Sequence, residues 1–153
     1  MFMRPIYLLP LMLVSFSLFA RSGCKEENNK SAKLMEESTK LKITVGSSIF
    51  AATLYNNASA TAFKAQLPMT IEMSELNDNE KFFALPENLP TNASNPGTIQ
   101  AGDIMLYGNS TLVLFYKSFP TSYNYTRLGK IANPSGLAAA LGSGGVTVTF
   151  EID

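Results

Sequence analysis

From residue 41 onward the chain alternates apolar and polar positions with a period of two, which is the signature of half-buried strands. Leu41, Ile43 and Val45 alternate with Lys42 and Thr44. Gly46-Ser47-Ser48 turns the chain, and Ile49 to Leu54 returns as the second arm of a hairpin. Met69, Ile71 and Met73 alternate with Thr70, Glu72 and Ser74 in a third strand. Asn77-Asp78-Asn79 carries turn chemistry, and Glu80 to Leu85 makes a fourth strand that Pro86 ends. Ile99 to Leu106 and Leu112 to Tyr116 read as a hairpin about Gly108-Asn109-Ser110. Tyr123 to Ile131 is a further strand. Val146, Val148, Phe150 and Ile152 alternate with Thr147, Thr149 and Glu151 in the last one.

Two segments leave this period. Asn56 and Asn57 offer a helix cap ahead of Ala58 to Leu67, where Ala62, Phe63 and Leu67 share a face and Pro68 stops the run. Asn133-Pro134-Ser135 opens a second short helix over Gly136 to Leu141, capped by Gly142. The stretch from Pro86 to Gly97 holds three prolines and reads as a loop, either a functional rim or a surface excursion. Many short strands with two helices that cover apolar surface predict a mainly β domain over 41–153, a closed or nearly closed barrel. No internal repeat is visible.

The N-terminal residues follow a different logic. Arg4 precedes an apolar run from Ile6 to Ala20, shorter than the ~20 residues that cross a bilayer. A charged start, a short apolar stretch and then small residues describe a secretory signal over 1–23. Ala20, Ser22 and Gly23 lead into Cys24, the one cysteine of the chain, in a pattern that resembles a bacterial lipoprotein signal. On that reading Cys24 is the lipidation site and a lipid anchor holds the protein to a membrane of the cell envelope, at the outer membrane or cell surface. Arg21 departs from the apolar residue such signals carry. The alternative is an ordinary signal cut near Ala20, with Cys24 a stray thiol. Residues 24–40 read as a flexible tether, rich in Lys, Glu and Asn, with Leu34 and Met35 as its large apolar side chains.

Composition narrows the chemistry. The 153 residues suit one domain large enough to bury a core. Twelve basic and twelve acidic side chains balance, so no electrostatic footprint points to nucleic acid. The absence of histidine, with one cysteine, excludes serine triads, cysteine–histidine dyads, zincins and structural zinc sites as usually built. No cofactor and no metal site is expected. Glu72, Glu75, Asp78 and Glu80 lack calcium-loop spacing and read as a solvated turn. Gly142-Ser143-Gly144-Gly145 follows a helix and lacks the lysine of a phosphate loop, so it reads as a flexible turn.

The densest aromatic group is Phe115, Tyr116, Phe119, Tyr123 and Tyr125, with Lys117 and Arg127 beside it. It reads in two ways. It is barrel core on one parity and sheet surface on the other. Alternatively it is a groove for an aromatic ligand or an extended peptide, with the two cations holding a carboxylate. The excess of tyrosine favours a wet rim, because each buried hydroxyl needs a partner.

Several strings, in order, resemble the bacterial cyclophilin-like domains over nearly all of Leu41 to Asp153. They are Asn-Asn-Ala-Ser-Ala-Thr-Ala-Phe-Lys-Ala-Gln-Leu-Pro at Asn56 to Pro68 and Ala-Gly-Asp at Ala101 to Asp103. Leu-Val-Leu-Phe-Tyr-Lys-Ser-Phe at Leu112 to Phe119 and Arg-Leu-Gly-Lys-Ile at Arg127 to Ile131 follow. The resemblance implies a closed antiparallel barrel with one helix plugging each end. Cyclophilins polarise the prolyl amide with an arginine, and matching by the terminal proline sets Phe83 at that position. Their histidine falls at Tyr125, their tryptophan near Phe119 or Pro120, and one pocket-floor aromatic is kept at Phe115. The resemblance therefore implies a bowl without the isomerase machinery, lined by Phe83, Phe115, Tyr116 and Tyr125. The expected role is a binding module for a small ligand or peptide. The alternatives are a weak prolyl isomerase and a structural or interaction domain.

Overall fold

The computed structural model describes residues 39–153; the expected signal, Cys24 and most of the expected tether lie outside these residues. Eight strands close into one antiparallel barrel. In chain order the strands are β1 (Lys40–Val45), β2 (Ser48–Leu54), β3 (Met69–Leu76), β4 (Glu80–Ala84), β6 (Asp103–Tyr107), β7 (Thr111–Phe115), β9 (Thr126–Ile131) and β10 (Val146–Ile152). Around the barrel they run β1-β10-β3-β4-β7-β6-β9-β2. Two further short strands, β5 (Thr98–Ile99) and β8 (Phe119–Pro120), pair as a separate ribbon. Closure leaves none of the eight strands with an unpaired edge.

The period-two pattern becomes an inside and an outside. Leu41, Ile43 and Val45 of β1 join Met73, Ile104, Leu106, Leu112, Leu114, Leu128, Val148 and Phe150 in the interior, all nearly without solvent exposure. The first helix, α1 (Ala58–Lys64), links β2 to β3 at one end of the barrel and drives Phe63 inward, edge-on to Phe150 at 6.0 Å between ring centres. The second, α2 (Leu137–Leu141), links β9 to β10 at the other end and buries Leu137 and Leu141. Each fully buried side chain of this kind contributes roughly 1.5–3 kcal/mol. One strand crossing needs glycine: a Cβ at Gly129 of β9 would stand 2.6 Å from the Thr53 carbonyl oxygen of β2, too close for any side chain.

Asn57 caps α1 as expected, its side-chain oxygen accepting from the Ala60 amide at 2.8 Å, while its Nδ2 donates to the Arg127 carbonyl. The helix ends at Lys64 and not at Leu67, because Gln66 and Leu67 bond three residues back, to Phe63 and Lys64, ahead of Pro68. Two strands start later than the pattern predicts. Gly102, at φ +91°, turns the chain after Ile99, and the Asp103 carboxylate accepts from the Gln100 amide, so Ile99 falls in β5 and β6 begins at Asp103. Tyr125 makes a two-way bridge with Ser94 before β9 begins at Thr126. That bridge ties down the proline-rich loop, whose Leu89 is buried in the barrel core.

Candidate functional site

A second apolar cluster lies outside the barrel, on the outward faces of β4, β7 and β6. Ile99, Met105, Val113, Phe115 and Tyr125 form it, and Phe82 and Phe119 pack against it. The alternation of β7 explains the split, since Leu112 and Leu114 point in while Val113 and Phe115 point out. The β5–β8 ribbon sets Ile99 opposite Phe119 and folds both over this face. Between the ribbon, the following residues and the β3–β4 turn lies a bowl of about 490 Å³.

The bowl is aromatic with one carboxylate. Tyr107 stands 6.1 Å from Tyr123 with the rings at 88°, and 5.7 Å from Tyr125 at 52°. Phe115 supports the wall from beneath, 5.5 Å from Tyr125 and 5.7 Å from Phe119, and is itself fully buried. Glu80 lines the same bowl and is 8% exposed. Its carboxyl is raised to about 6, first by burial and then by the nearby charge of Glu75. Burial, with the Glu80 charge second, also pushes the Tyr125 phenol upward. Among the described residues no ion pair reaches Glu80, and the lining holds no arginine, lysine or histidine. Asn79 lines the bowl too, and its Oδ1 is buried without a hydrogen-bond partner among the described residues.

Of the aromatic group singled out in the sequence, Phe119, Tyr123 and Tyr125 line the bowl and Phe115 lies beneath it. Phe83 stands on the opposite face of β4, packed on the barrel interior, and Phe82 takes the outward position. The strand has this parity because Lys81 points inward. Tyr116 also points inward. Its hydroxyl donates to both Glu75 oxygens at 2.9 and 3.0 Å, and burial, then Glu75, holds the phenol protonated well above its ordinary range. Lys117 is exposed and pairs with Asp78 at 2.8 Å, lowering that carboxyl, while Arg127 is exposed on β9 outside the lining. The two cations thus flank no common ligand position.

The acidic residues are not one solvated turn, as their spacing predicts. Glu80 is in the bowl, and Glu75 meets the fully buried Lys81, whose Nζ lies 2.5 Å from Glu75 Oε2. Lys81 also donates to the Gly142 and Gly144 carbonyls at 2.8 and 2.6 Å. The glycine-rich turn is therefore fastened to β4. Sequence reasoning passed over Phe82, Tyr107 and Val113, and read Glu80 as part of a solvated turn. The signal for Tyr107 and Val113 was the parity they share with Met105 and Phe115.

An eight-stranded closed barrel with a helix at each end and a bowl outside it defines a cyclophilin-like architecture. The model of the Cyclophilin-like family matches residues 43–151, and the chain belongs to that family. The hypothetical protein AF2241 from Archaeoglobus fulgidus, known from its solution structure, shares the fold at a TM-score of 0.54. It is 20% identical, and the match covers 76% of this chain and 95% of that one. No curated protein matches the chain.

Proposed function

We propose that the domain is a binding module that takes a small ligand or one side chain of an extended peptide in the outer bowl, at the cell envelope, where lipid on Cys24 holds it. One observation carries the binding reading: a concavity of about 490 Å³ walled by Tyr107, Tyr123 and Tyr125 over a packed aromatic floor. That volume lies within the range of small-molecule sites, and apolar lining with a few polar groups is their usual composition. The floor is preformed because Phe115 and Met105 are as buried as any interior residue. Binding there need not order the floor anew. The address rests on the Ser-Gly-Cys pattern at Ser22 to Cys24.

A thermal-shift and ligand-observed NMR screen of metabolites and short peptides tests the binding reading. We expect saturable binding that Tyr123→Ala weakens about tenfold, since a wall ring contributes roughly 1–2 kcal/mol. Tyr123 is 61% exposed, so the variant keeps its fold. Ligands that bind Tyr123→Ala and the natural chain equally place the site elsewhere. A screen with no saturable ligand removes the reading.

A further inference from the structure

We infer that the bowl selects an organic cation: an alkylammonium group enclosed by Tyr107, Tyr123 and Tyr125 and neutralised by Glu80. The inference rests on the binding reading above and names the ligand chemistry of the same site.

Three observations converge. Glu80 is nine-tenths buried beside aromatic rings, and among the described residues it has neither an ion pair nor a basic neighbour in the lining. With its carboxyl near 6 it is mostly ionised at pH 7.5, so a negative charge without an ion-pair partner among the described residues lines the bowl. Such a charge is costly to leave unpaired, and a ligand cation offsets that cost. The rings supply the second half of the site. Tyr107 meets Tyr123 at 88° and Tyr125 at 52°, so neither pair stacks, and all three rings line the bowl. A tyrosine face open to the bowl presents its negative quadrupole to a cation there. The third observation is the acceptor surplus. Asn79 Oδ1 lacks a donor, and the tyrosine hydroxyls of the rim accept as well as donate. A carboxylate ligand meets the reverse of what it needs, because Lys117 is paired with Asp78 outside the bowl and Arg127 is not in the lining.

The test uses the full-length chain and three probes, titrated by calorimetry and by NMR at pH 7.5. Choline carries the cation, 3,3-dimethylbutanol is its uncharged isostere, and Nα-acetyl-lysine amide presents the ammonium as a peptide does. We expect choline or the lysine amide to bind about tenfold more tightly than the neutral isostere, and Glu80→Gln to abolish that preference. The tighter of the two cations tells a free ammonium compound from a lysyl side chain. Tyr123→Ala, at the exposed rim, should weaken both cations and keep their rank over the isostere. Equal binding of choline and its isostere, unchanged in Glu80→Gln, overturns the inference and leaves the binding reading intact. Binding of neither cation overturns it as well, and the wider screen then decides the binding reading alone.

Discussion

Glu80 carries its charge at a position where an apolar residue would be the easier fit. Its carboxyl titrates near 6 in the folded protein against 4.5 as an ordinary glutamate, because burial and Glu75 disfavour the ionised form. The folded state therefore holds this proton more tightly than the unfolded chain. The resulting stability is fully present below about pH 4.5 and lost as pH rises through about 6. Glu80→Gln removes the dependence. The variant should melt above the natural protein at pH 8, with the difference shrinking towards pH 5, as read by calorimetry across that range. A gap constant with pH would mean that the Glu80 proton is not coupled to folding. The same residue shows why the site is hard to read from sequence. An acid next to Asn77-Asp78-Asn79 looks solvated, and only the fold brings the Tyr125 segment across it.

At the scale of elements, alternation identifies the eight barrel strands, and the breaks in it the two helices, but it does not settle the inward residue of every strand. Strand β4 is the clearest case. Phe82 and Phe83 are adjacent and both aromatic, so neither polarity nor size tells them apart, and counting back from Pro86 selects the wrong one. Parity is decided by Lys81, which enters the barrel end because Glu75 and the Gly142 and Gly144 carbonyls wait there. No periodicity reveals those acceptors, since they come from β3 and from the turn after α2. Ile99 shows the converse. Its apolar run looks continuous with β6, yet Ala101-Gly102-Asp103 contains the turn residues that cut it. Lys81→Met should cost about 3 kcal/mol in urea unfolding, because it leaves the Glu75 charge without its cation and two carbonyls without a donor. Losing less than ~1 kcal/mol would mean that water satisfies those acceptors.

At the scale of the molecule, the barrel separates its packed interior from the bowl outside it. The interior is filled by side chains from all eight strands, whereas the bowl uses outward residues of four of them, the β3–β4 turn and the segment Phe119 to Tyr125. Changes at Tyr107 or Tyr123 touch no interior contact. On the proposed address, Cys24→Ala should move the protein from the membrane fraction to the soluble one, with the bowl still competent. Persistent membrane association of that variant, followed by fractionation and immunoblot, would reject the lipid anchor.

Strands β1 and β10 are neighbours, and the Asp153 amide bonds to the Lys40 carbonyl at 3.2 Å. Both ends of the domain thus leave from one side, and in the strand order β1 stands four places from β7. The chain before Lys40 therefore joins the barrel on the side opposite β7 in the ring of strands. Any attachment made through it would leave the outward face of β7, with Val113 and Phe115, on the far side of the barrel.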